Sequence, residues 1–108
     1  MKKQIIALVA SIITTATISS TGVHISSSVF ENGSEAFKEG NYSEAYNIWV
    51  KLAEAGDHKA QNNIGALYAT GKGVTQDFIK AMEWMQKALL EGDKKAKFNL
   101  SLVKEELK

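Results

Sequence analysis

Cysteine, proline and arginine are all absent from the 108 residues. Without cysteine, no disulfide can staple the fold and no thiolate can hold a metal. Without proline, nothing in the chain forbids a helix interior. All 13 basic residues are lysine, and a surface that grips phosphates bidentately uses arginine. The net charge of +1 includes Lys2 and Lys3, so from Val23 onward 11 lysines face 12 acids. That balance excludes an electrostatic case for nucleic acid. Histidine is also scarce, with only His24 and His58.

A single long apolar run is present, and it lies at the start. Lys2 and Lys3 precede Ile5 to Ile18, which is interrupted by Ser11, Thr14, Thr15 and Thr17. As a helix this run would span about 21 Å, short of a ~30 Å hydrocarbon core. It reads as a signal peptide over residues 1–22, with Ser20-Thr21-Gly22 as the favoured cleavage region. An uncleaved anchor is the alternative. Either way the rest of the chain is expected outside the cytoplasm, periplasmic or secreted, with no stable membrane insertion after cleavage. Residues 23–28 read as a serine-rich, disordered lead-in, and 29–108 as one folded domain.

Within that domain helical patterns alternate with turn signals. The spacing predicts helices over Val29–Glu39, Ser43–Ala55, His58–Thr70, about Asp77–Glu91 and Lys94–Leu107. Gly40-Asn41, Gly56-Asp57 and Gly92-Asp93 punctuate them. No stretch alternates with period two, so the domain is predicted all-α. A shift of 36 superposes Tyr42 on Phe78, Ala45 on Ala81, Gly56 on Gly92, Asp57 on Asp93, Ala60 on Ala96 and Asn63 on Asn99. Coincidence of glycines, caps and small packing residues marks an internal repeat of solenoid period. Each helix pair then covers its apolar face with the next pair.

The residues Ala60, Ile64, Gly65, Tyr68, Gly71, Gly73, Asp77, Ala81, Trp84, Lys87, Ala88, Gly92 and Ala96 carry a resemblance to a known family. Their pattern resembles the Sel-1-like repeat, a relative of the tetratricopeptide repeat. Upstream, Gly33, Ala36, Gly40, Tyr42, Ala45 and Trp49 are closer to an ordinary tetratricopeptide hairpin. Gly33 to Ala45 is 12 residues and Gly65 to Ala81 is 16, so the second hairpin has four extra loop residues. The resemblance implies an α/α solenoid of about two hairpins plus a C-terminal capping helix. It also implies a scaffold that binds a peptide or protein in a concave groove, with no cofactor and no catalysis.

In such units the first helix of each pair lines the concave surface. By that position-matching the groove residues are Phe30, Phe37 and Lys38 in the first unit, and Lys59, Asn62, Ala66 and Thr70 in the second. The third, partial unit supplies Lys95, Phe98, Leu102 and Glu105. For Phe98 and Leu102 a plain alternative stands beside this one, namely packing against the helix that holds Tyr68. Two further readings remain. One is a self-associating structural subunit, motivated by an apolar edge at Phe30 and Phe37. The other, by analogy only, is a small hydrolase using His58 and nearby acids. Asp57 is expected to cap a helix rather than bind metal. Gly71-Lys72-Gly73 lacks the spacing of a phosphate loop. Lys94, Lys97, Lys104 and Lys108 offer a solvating outer face to the last helix. Trp49 and Trp84 are both assigned to the core, and Trp84→Ala would cost ~3–5 kcal/mol if buried.

Overall fold

The computed structural model describes residues 25–108, with side chains from residue 28. The expected signal peptide lies outside these residues, as do Val23 and His24. Five helices follow one another, with no strand among the described residues: α1 (Ile25–Lys38), α2 (Tyr42–Glu54), α3 (His58–Thr70), α4 (Phe78–Leu90) and α5 (Lys94–Glu106). The bounds of α2 to α5 fall within about a residue of those read from the sequence. The exception is α1, which begins four residues before Val29. Ile25–Ser28, expected as disordered lead-in, is therefore helical. Serine is only a middling helix former, and here it continues a helix whose later turns are fixed by packing.

Three of the four turns are built alike. Asn41 N donates to Ala36 O, Asp57 N to Leu52 O and Asp93 N to Ala88 O, at 2.8, 3.0 and 3.0 Å. Each six-residue closure is paired with a shorter one from the preceding glycine, at 2.9–3.0 Å, which satisfies the last carbonyls of the helix. After the second and third of these turns the next helix is capped by a carboxylate, whereas Asn41 makes no side-chain cap bond to α2. Asp57 Oδ1 accepts from Lys59 N and Ala60 N, and Asp93 Oδ1 accepts from Lys95 N and Ala96 N. Asp57 thus has the capping role expected of it.

Consecutive helices pack as antiparallel neighbours, with a lesser contact between α3 and α5. Alanines stand wherever helices cross: Ala45, Ala60, Ala66, Ala81 and Ala96 are fully buried. Both hairpins use the same lock. An added Cβ at Gly33 would lie 2.3 Å from Trp49 Nε1, and one at Gly65 would lie 2.7 Å from Met85 Cγ. Trp49 and Met85 are related by the 36-residue repeat, so each first helix admits one large side chain from its second. Across units, Asn99 Nδ2 donates to Asn62 Oδ1 at 3.1 Å, tying α5 to α3. Gln61 Nε2 reaches back to Ala53 O at 3.1 Å, tying α3 to α2.

The loop from Gly71 to Asp77 departs from the pattern because it holds the four extra residues. Gly71 N and Lys72 N both donate to Leu67 O, Gln76 Nε2 donates to Ala69 O, and Asp77 N donates to Tyr68 O. The insertion is folded back onto α3. Its Lys72 also reaches α2, with Nζ 3.3 Å from Tyr42 Oη and 4.4 Å from the ring centre.

Candidate interaction groove

The second helices of the two hairpins, α2 and α4, flank an open groove of about 940 Å³. Its floor comes from Tyr46 and Val50 on α2, Tyr68 on α3, Met82 on α4 and Leu100 on α5. Ile79 and Leu90 stand on the α4 rim, 55% and 79% exposed. Such exposure of large aliphatic side chains beside an apolar floor is what distinguishes a contact surface from ordinary solvated helix. Charged groups border the groove: Lys80, Lys87 and Lys104 against Glu54 and Glu83. Two of the lysines lie over aromatic faces. Lys80 Nζ is 5.5 Å from the Tyr68 ring centre and Lys87 Nζ is 4.6 Å from that of Trp84.

At the floor, the hydroxyls of Tyr46 and Tyr68 hydrogen-bond at 3.0 Å and the rings meet edge to face. The phenol of Tyr46 is pushed up to about 12 from an ordinary value of 10. The bond to Tyr68 is the largest cause, followed by partial burial and the nearby charges of ionised Tyr68 and of Glu54. A folded-state value above the unfolded one means that the neutral phenol favours the fold. This stabilisation is complete below pH 10 and is lost as pH rises through about 12. Tyr46→Phe is expected to lower stability by about 1 kcal/mol at neutral pH. Its difference from wild type should shrink between pH 10 and 12, measured by urea unfolding at several pH values. A difference that widens with pH would contradict the assignment.

None of the eleven residues matched to a concave surface lines this groove. Phe37, Asn62 and Ala66 are buried, which corrects their assignment as contact residues. Phe37 packs on Tyr42 and Trp49, with ring centres 4.9 and 6.0 Å apart. Asn62 is engaged by Asn99, and Ala66 has no exposed surface. Phe30 is half-buried against Trp49, whose Nε1 donates to its carbonyl at 3.0 Å. Thr70 turns its hydroxyl to Ala66 O at 2.8 Å. Leu102 packs against the core, whereas Phe98 is 61% exposed, so the two part company. Lys38, Lys59, Lys95 and Glu105 are exposed, Glu105 beside Lys108 at 2.9 Å.

Position-matching looked to the first helices and found the exposed Phe98, whereas Ile79 and Leu90, also exposed, sit on the second helix α4. A usable signal was present in the chain: Tyr46, Val50 and Ile79 fall beside, not on, the core stripes of α2 and α4. His58 is the first residue of α3 and is partly exposed. Its Nδ1 lies 3.0 Å from Asp93 Oδ2, so it bridges the start of α3 to the cap of α5. The described residues contain no group of three or more His, Cys, Asp or Glu able to hold a metal.

Comparison with known proteins agrees with this architecture. A family model described as Sel1 repeat matches residues 27–57 and 58–93, which correspond to the two hairpins. Among curated proteins, the chain is similar to DAP3-binding cell death enhancer 1 of Rattus norvegicus and of Mus musculus. Each is 38% identical over 50 residues, covering 46% of this chain and 10% of the relative. It is also similar to HRD3A of Arabidopsis thaliana, a component of an ERAD-associated E3 ubiquitin-protein ligase. There 31% of 64 residues are identical, covering 59% of this chain and 9% of the relative. The chain thus spans about a tenth of the length of these relatives. No solved structure matches.

Proposed function

The chain belongs to the Sel1 repeat family, and from that premise we propose that it is an exported bacterial scaffold holding a peptide or protein partner in the groove between α2 and α4. The observation that carries the reading is the apolar floor of that groove beside the exposed Ile79 and Leu90. Repeats of this family serve protein–protein interaction, and the relatives' printed names describe a protein that binds DAP3 and a component of a ligase assembly. Export rests on Lys2, Lys3 and the apolar run Ile5–Ile18.

A scaffold needs surface and rigidity, and no catalytic group enters this reading. The hydrolase reading used His58 and nearby acids; His58 Nδ1 is paired with the capping carboxylate of Asp93, and unchanged activity in His58→Ala would end that reading.

The test is a photo-crosslinking amino acid placed at Gln86 in the groove or at Lys59 on the outside of α3. The exported fraction is then compared with the cytoplasm. The same partner band should appear from position 86 and not from position 59, and only in the exported fraction. A band from Lys59 alone would move the interaction to the first helices. A protein confined to the cytoplasm would end the export part.

A further inference from the structure

The chain's near-zero net charge conceals a separation along the solenoid. Residues 25–55 carry five acids against two lysines, a net of −3, and residues 94–108 carry five lysines against two acids, a net of +3. Helical geometry gathers these charges on the two outermost faces among the described residues. On α1, Gly33, Ala36 and Phe37 turn inward, and Glu31 and Glu35, with Glu39 just past the helix end, project on the opposite side with Lys38 among them, all exposed, three acids against one lysine. On α5, Ala96, Leu100 and Val103 turn inward, and Lys94, Lys97 and Ser101 are exposed on the far side beside Phe98, where Glu105 is paired with Lys108 just past the helix at 2.9 Å.

Among the described residues, no helix covers the far face of α5. That face corresponds through the repeat to the face of α3 that receives α4, with Ser101 standing where Gly65 meets Met85. A Cβ and hydroxyl at that point prevent the close approach made inside the repeat, so what covers this face must sit farther out. Long charged side chains suit that spacing, with Phe98 as an apolar centre.

We propose that the outward face of α5 docks on the outward face of α1 of a second copy, so that the protein assembles head to tail. The apolar edge expected at Phe30 and Phe37 is not what drives this contact, since both rings pack on Trp49. Charge complementarity fixes the polarity instead: two α1 faces repel, and two α5 faces repel. Such a contact uses different patches on the two copies and therefore propagates into chains or closes into a ring. None of the residues named for this contact lines the groove, whose α5 members are Leu100 and Lys104, so it stands independently of the function proposed above.

Because the chain has no cysteine, the contact can be read by pairwise cross-linking. The full chain is used in non-ionic detergent, which disperses the apolar N-terminal run. Glu35→Cys on α1 and Ser101→Cys on α5 are mixed and treated with a short bismaleimide, with Asn47→Cys, exposed on α2, as the control. The mixed pair should cross-link about tenfold more than either variant alone or than the control pairs. Raising salt from about 0.1 M to about 1 M shortens the screening length from ~10 Å to ~3 Å and should remove that excess. Adding Glu31→Lys and Glu39→Lys to the α1 member should abolish the cross-link. Adding Lys94→Glu and Lys97→Glu to the α5 member should then restore it. Equal yields for all pairs, a dominant homotypic product, no product, or failure of the restoring combination would each overturn the proposal.

Discussion

Trp49→Ala is expected to remove most of the stability of the domain. The indole is fully buried, its Nε1 donates to Phe30 O at 3.0 Å, and it lies against the rings of Phe30 and Phe37. Gly33 leaves the space that the ring fills. Deleting it would open a cavity between α1 and α2 and remove one of the donors to Phe30 O, leaving Ser34 Oγ at 3.4 Å. Large-to-small changes of this kind cost ~3–5 kcal/mol. A domain of this size holds only about 4–12 kcal/mol in total, at ~0.05–0.15 kcal/mol per residue. Trp84→Ala makes the comparison informative, because the two tryptophans read alike in the sequence. Trp84 is only partly buried, with Lys87 laid over its outer face. Its removal should cost about 1–2 kcal/mol, from a fraction of the area and one cation–π contact. Urea unfolding followed by far-ultraviolet circular dichroism separates the two. A larger loss for Trp84→Ala than for Trp49→Ala would mean that the first hairpin does not close as described.

The contrast between the tryptophans shows where sequence reading stops. Both occupy apolar stripes of correct helical period, and period establishes only that a residue is on the inward half of its helix. How far inward depends on what covers it. Trp49 is closed over by α1, whereas Trp84 borders a groove because α2 and α4 are held apart on α3. Helix ends were far more legible, since Gly40-Asn41, Gly56-Asp57 and Gly92-Asp93 encode their turn locally through backbone and cap chemistry. Phe37, Asn62 and Ala66 failed as surface candidates for the same reason that Trp84 reaches only the edge of the core. Each was placed by its rank in a motif, while burial is set by neighbours from other helices. Asn62 is instructive, because a polar residue at a supposed groove position is in fact satisfied internally by Asn99. The opposite charges of α1 and α5 were legible in the chain and were masked by averaging 11 lysines against 12 acids.

Gly73→Ala should have the second largest effect, because two independent penalties fall on one methyl group. The residue sits at φ +74°, where a side chain costs roughly 1–2 kcal/mol. A Cβ there would also come 2.5 Å from Tyr42 O and 2.9 Å from Ser43 N, which are backbone atoms at the first turn of α2. Neither can swing aside as a flexible side chain would, so the inserted loop must lift from α2, adding about 1–3 kcal/mol as overpacking does elsewhere. Gly40→Ala isolates the first penalty. Its φ is +84°, yet an added Cβ meets nothing within 4 Å, so only the conformational cost of ~1–2 kcal/mol applies. The difference between the two variants therefore measures how firmly the four-residue insertion is seated. Lifting the loop would also draw Lys72 away from the ring and hydroxyl of Tyr42. Lys72→Met, which keeps the length and loses the charge, should accordingly matter less in the Gly73→Ala background than in wild type. Equal unfolding midpoints for Gly73→Ala and Gly40→Ala would show the insertion to be loosely attached. The longer loop would then be a mere spacer between α3 and α4, not the clasp that joins one repeat to the preceding one.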